Sequence, residues 1–246
     1  MFFPDSIKPM VNDQPFCPPI RNRLLASLQP QELQRLWGLL EPLHLEIRTP
    51  IYLAGEPIEC VYFPLNCVVS AMTVMENGSA IEVATIGNEG LAGLTSFFGG
   101  EISPYAAMVQ LPGDALRMQT SQLREFAAEH PSLRKALIHY NTAFATQVAY
   151  AVACNGLHTI EKRCCRWLLM TRDRIGADLL PLTHEFLAIM LGVRRASVTE
   201  VLQPLQAGGM IRCGRGAIEI VDRTGLEAIA CECYRSVKKA FAYLMG

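Results

Sequence analysis

Arg194, Arg195, Ser197, Thr199 and Glu200 fall within one seven-residue stretch, after Gly192-Val193 and ahead of an apolar run. Their common chemistry is hydrogen bonding to a polyanion and to base edges. Arginine donates two bonds to guanine or holds a phosphate, Ser and Thr reach phosphates or a thymine methyl, and a carboxylate accepts from a cytosine amino group. Arg195, Ser197 and Thr199 are therefore the expected base or adjacent phosphate contacts, with Glu200 as acceptor or register-setting repeller. Thr183, His184, Arg194, Arg212 and Arg215 are expected to position the backbone. No nucleophile–base pairing, phosphate loop or zinc-hydrolase spacing occurs, so an enzyme is not expected.

Such side chains reach a groove only if short helices hold them at a steep angle. Thr183 can cap a helix whose apolar face is Phe186, Leu187, Met190 and Leu191. Gly192 can turn the chain in the left-handed conformation, and Val193 is the buried turn residue. Val198, Val201, Leu202 and Leu205 face inward on the next helix. Met210 to Val221 alternates around Gly214-Arg215-Gly216, which reads as a hairpin with a three-residue loop and Arg215 at its tip. A helical hairpin that merely packs a small domain would use the same apolar residues. The arginine-bearing wing favours double-stranded DNA as the partner.

The nine cysteines are odd in number and suggest reduced thiols. Cys164-Cys165 falls in an apolar helical pattern and reads as core. Cys231-Glu-Cys233 is a closer pair, but a metal site needs about four ligands, and no second close Cys or His pair stands out. No metal and no cofactor is expected. The alternative reading is a redox- or metal-responsive regulator that switches through Cys231, Cys233 or the Cys164-Cys165 pair.

Residues 1–158 carry 9 Lys+Arg against 14 Asp+Glu, and residues 159–246 carry 13 against 9. An acidic front and a basic back imply that nucleic acid meets only the back. Half of the residues are apolar, which suits globular domains, and no apolar run approaches the ~20 residues of a membrane span. The proline-rich arm 1–20 lacks a basic-then-apolar signal pattern, so a loose arm and a cytoplasmic protein are expected.

The expected fold class is α+β, in four segments. The arm is followed by a β-roll or jelly-roll sensor domain over 21–130, a dimerisation helix over 131–158 and a winged helix–turn–helix domain over 159–246. Two short helices broken at Pro30 open the roll, and Asn77-Gly78 between Val74 and Ile81 signals a hairpin. Leu133, Leu137, Tyr140, Phe144, Gln147, Ala151 and Cys154 recur at heptad spacing and are assigned to a homodimer interface. A second stripe, Ile138, Ala145, Val148 and Val152, is left to pack on the roll. Lys162, Arg163 and Arg166 mark an amphipathic helix over Ile160–Asp173, while Arg172 and Arg174 read as solvated. One or two further helices follow from Thr224 to Met245.

Roll, long helix and winged helix–turn–helix in this order resemble the CRP/FNR family of bacterial transcription regulators, most specifically over Thr183-His184-Glu185 and Leu191 to Leu202. The resemblance implies a homodimer on a two-fold operator, a cyclic-nucleotide-binding-like roll and, for a transcription regulator, RNA polymerase as a further partner. Relatives that bind cyclic nucleotides hold the phosphate with an Arg-Ser or Arg-Thr pair. Here Pro104, Tyr105 or Ala106 stands at that place, so cyclic AMP is not the expected ligand. Glu89, Gly90 and Tyr105 are assigned to the pocket of an unknown small effector, if there is one. The iron–sulfur branch uses an N-terminal cysteine cluster, whereas this arm has only Cys17.

Overall fold

A computed structural model describes residues 21–244. The expectations for the 1–20 arm and Cys17 lie outside the described residues. Asn22 caps α1 (Arg23–Ala26) by accepting from the Leu25 amide, and its Nδ2 donates to Pro64 and Gly90 carbonyls. Pro30 opens α2 (Pro30–Trp37) from within its first turn, where its missing N–H costs nothing. Seven strands follow: β1 (Glu41–Leu45), β2 (Pro50–Tyr52), β3 (Cys60–Pro64), β4 (Val68–Val74), β5 (Ala80–Ile86), β6 (Ala106–Leu111) and β7 (Gly113–Gln119). They pair antiparallel in two sheets, ordered β1-β7-β3 and β2-β6-β4-β5. Gly78, at φ +80, turns the β4–β5 hairpin, and the Asn77 side chain accepts from the Ser79 amide. The short helix α3 (Leu94–Phe97) and the longer α4 (Thr120–Glu129) complete this layer.

The long helix α5 (Pro131–Leu157) corrects the interface assignment. Leu133, Leu137, Tyr140 and Cys154 have no exposed surface, and Phe144, Gln147 and Ala151 are also buried, all within one chain. The Tyr140 ring lies directly over Gly90, where a Cβ would sit inside it, and reaches Phe241 at 6.0 Å between centroids. Gln147 donates to the Thr85 carbonyl at 3.0 Å. This stripe is consumed by the roll and the C-terminal helix. Of the second stripe, Ile138 is 46% and Val152 69% exposed and Ala145 is open, as is neighbouring Ala149, whereas Val148 is half-buried against the core. Heptad spacing identifies an apolar stripe but not its occupant.

The remaining elements are α6 (Ile160–Ile175), β8 (Leu179–Leu180), α7 (His184–Leu191), α8 (Arg195–Ala207), β9 (Ile211–Gly214), β10 (Ala217–Ile220), α9 (Arg223–Ile229) and α10 (Cys233–Leu244). β8 joins the wing, making a three-stranded sheet ordered β8-β10-β9. The wing turn is Arg215-Gly216 alone, because Gly214 pairs directly with Ala217, and Gly216 takes φ +75.

This C-terminal unit docks on the roll of its own chain. Trp167 donates to Glu82 at 2.9 Å, and Gln110 bridges Ser70 to Thr171. Arg174 is not solvated: it is 7% exposed, pairs with buried Glu89 at 2.8 Å, and also donates to Gln147 and the Thr85 carbonyl. Arg163 and Arg166 are buried too, so much of the charge on α6 is spent inside the molecule. Arg172 pairs with Asp178 at 2.6 Å.

Candidate nucleic-acid interface

Thr183 caps α7 by accepting from the Phe186 amide at 3.2 Å. Phe186, Leu187, Met190 and Leu191 are buried as expected from their spacing. Gly192 ends the helix in the left-handed region at φ 62, and the Val193 amide returns to the Ala188 carbonyl. An added Cβ at Gly192 would be strained there and would meet Ile81 at 2.9 Å. Val198, Leu202 and Leu205 anchor α8 from below, while Val201 is only half-buried. Arg194, Arg195 and Glu200 are left exposed, with Ser197 and Thr199 partly so.

His184 is turned inward. Its Nδ1 lies 3.2 Å from Thr199 Oγ1, and burial, helped by the Arg195 charge, holds its pKa below the usual histidine value. It therefore stays neutral at physiological pH and positions Thr199, rather than presenting a cation to phosphate. Arg212 is held by Glu219 at 2.6 Å across the wing, on register partners. Among the described residues Arg194, Arg195 and Arg215 form no ion pair. These three cations are the free ones of this face. Gln203, exposed one turn after Glu200, was not singled out by sequence, although its position on the outer face of α8 follows from the same periodicity.

The expected effector residues do not form one site. Glu89 is 4% exposed, accepts from the Gly87 amide and is paired with Arg174. Gly90 is covered by Tyr140. Tyr105 packs among aromatics, 6.1 Å from both Tyr52 and Phe144 between centroids. The carboxylate that could have met a ribose instead holds the C-terminal unit.

Sequence reading also missed a cluster that spans the chain. Cys154 and His158, from the end of α5, meet Cys231 from the link between α9 and α10 and Cys233 at the start of α10. The available signal was Cys154-x-x-x-His158, which puts both side chains on one helical face. Cys164 and Cys165 are core residues, and burial pushes both thiols up, Cys165 to about 12.

Roll, long helix and winged helix–turn–helix together define a DNA-binding transcription regulator. Two family models match, a cyclic nucleotide-binding domain over residues 42–130 and a Crp-like helix-turn-helix domain over residues 162–229. The chain belongs to the CRP/FNR family of regulators. It is 27% identical over 180 residues to the global nitrogen regulator of Synechocystis sp., covering 69% of this chain and 80% of that protein. It is 26% identical to the transcriptional regulator SdrP of Thermus thermophilus, covering 71% and 85% respectively. The structure of FixK2 from Bradyrhizobium japonicum shares the fold at a TM-score of 0.68 and 19% identity, over 78% of this chain and 98% of that one. Among the described residues no helix is long and apolar enough to cross a membrane.

Proposed function

We propose that this regulator binds a two-fold DNA site as a homodimer in the cytoplasm, with α8 in the major groove and Arg215 on the flanking backbone. The observation that supports this best is the exposed, ion-pair-free set Arg194, Arg195 and Arg215 on one helix–turn–helix and its wing. Arg195, Ser197, Thr199 and Glu200 face the bases or the adjacent phosphates, and Arg194 and Thr183 hold the backbone. His184 serves through Thr199, and Arg212 reaches phosphate only by giving up Glu219. The partner copy meets the open Ile138–Val152 face of α5, whose alanines allow close helix approach. RNA polymerase is the further partner this role requires. The roll senses no cyclic nucleotide in this reading, because the phosphate arginine is missing and Glu89 is occupied; whichever signal acts reaches DNA through the docked C-terminal unit.

Selection of sites from random duplex DNA by the purified chain tests the reading. Enrichment of an inverted repeat is the expected result. Binding that is steeply salt-dependent and without a motif would contradict it.

A further inference from the structure

We propose that Cys154, His158, Cys231 and Cys233 form a tetrahedral site for a single Zn2+ ion that clamps the hinge between the long helix and the DNA-binding unit. The four ligand atoms all lie within 4.8 Å of one another. Cys154 Sγ and Cys231 Sγ are 3.5 Å apart, and Cys233 Sγ is 3.7 Å from His158 Nδ1. With Zn–S bonds of about 2.3 Å and Zn–N bonds of about 2.0 Å, tetrahedral edges run roughly 3.5 to 3.8 Å. These two edges fall in that range, and the other four lie within 4.8 Å.

The surroundings fit a metal better than idle thiols. The three cysteines are buried, at 0, 3 and 2% exposure, in a small cluster of their own with only Tyr150 packed against it. His158 turns its other nitrogen, Nε2, to the Glu232 carboxylate at 3.3 Å. A carboxylate behind a ligating imidazole fixes its tautomer and raises its basicity, as in many zinc sites. Three thiolates, a neutral imidazole and Zn2+ leave one net negative charge. Arg163 and Arg166 supply buried positive charge from α6, and the Nε of each has no hydrogen-bond partner. Binding releases the three thiol protons to solvent and changes no oxidation state. A disulfide would join only two of the sulfurs, leaving the third cysteine and His158 unused. An iron–sulfur cluster places several atoms between its cysteines and would spread them further apart.

Placement gives the site its consequence. Cys154 lies in the last turn of α5, and His158 is its C-cap, one residue before α6 is capped by Thr159. Cys231 and Cys233 hold the start of α10, which packs back along α5. The ion would therefore tie both ends of the C-terminal unit to the long helix and set how α8 is presented.

The test uses the full chain, reduced, stripped with chelator and titrated with Co2+ without oxygen. One cobalt per protomer is expected, with the intense visible bands of tetrahedral coordination and a thiolate charge-transfer band, displaced by one equivalent of Zn2+. Cys231→Ser, Cys233→Ser and His158→Asn should each weaken binding at least 10-fold, while Cys213→Ser, outside the cluster, should not change it. Zinc-loaded protein should also be cut more slowly than stripped protein by protease at residues 157–160. A wild-type chain that binds no cobalt, gives only the faint spectrum of octahedral coordination, or retains full binding after loss of Cys231 and Cys233 overturns the proposal. A Cys154–Cys231 disulfide in protein that takes no metal after reduction would overturn it in favour of a thiol couple. None of these readouts uses DNA, so they stand apart from the operator experiment.

Discussion

Arg195 and Arg215 carry the same charge but should fail differently when removed. Arg195 is the first residue of α8, exposed and in no ion pair among the described residues, so its guanidinium is free for a base edge. Arg195→Ala should cost about 1–3 kcal/mol of DNA affinity and relax preference at one position of the half-site. Arg215 sits at the tip of a two-residue turn between the wing strands rather than on α8. Arg215→Ala should weaken all sequences alike and reduce the slope of log affinity against log salt by about 1. Competition binding across single-base variants at several salt concentrations separates the two; equal loss at every variant for Arg195→Ala would make it a phosphate contact. Sequence identified these residues because their chemistry and helical position are local properties. It did not show the Thr199 contact of His184 or the Glu219 pair of Arg212, because a neighbouring helix and a facing strand determine what each side chain touches.

At the scale of elements, α5 has two faces with opposite fates. Leu137 is fully buried against its own chain, so Leu137→Ala should cost about 2–5 kcal/mol of protomer stability. Val152, 69% exposed, belongs to the open face, and Val152→Glu should leave the fold intact while splitting the proposed dimer. Thermal unfolding and sedimentation equilibrium together distinguish the outcomes. A dimer that survives Val152→Glu but is lost with Leu137→Ala at unchanged stability would restore the buried stripe as the interface. Apolar periodicity from Leu133 to Cys154 was enough to find α5, to within three residues of either end. It could not rank two stripes on one helix, since burial depends on what lies opposite each of them.

Across the whole molecule, the DNA-binding unit is joined to the roll by buried polar contacts. Removing one member of the Glu89–Arg174 pair leaves the other charged and dry. Arg174→Met should cost about 3–5 kcal/mol and loosen the docked arrangement, seen as faster proteolysis between α5 and α6. Glu82 adds a pH dependence to the same interface. Burial raises its carboxyl pKa, against the opposing effects of the Ser70, Thr85 and Trp167 hydrogen bonds and the Arg166 charge. A raised folded pKa means that the docked state holds the proton more tightly than the unfolded chain. The associated stability is full below the ordinary carboxylate range and is lost as pH rises through the raised value. Glu82→Gln should flatten that dependence, measured by urea unfolding across acid to neutral pH; an unchanged profile would place the titration elsewhere.

Local interactions determined what the sequence alone could determine. The Thr183 cap, the Gly192 and Gly78 turns, the apolar face of α7 and the exposed residues of α8 depend on neighbours a few positions away. The order roll, long helix, winged helix–turn–helix follows from the same short-range patterns. Tertiary structure decided everything that depends on partners far apart in the chain. It turned Arg174, read as solvated, into the partner of Glu89, 85 residues away. It gave the heptad stripe to the protomer's own core, and it brought Cys154 to Cys231 across 77 residues. Spacing records the direction a side chain takes from its own element. What it meets there is set by how the elements pack.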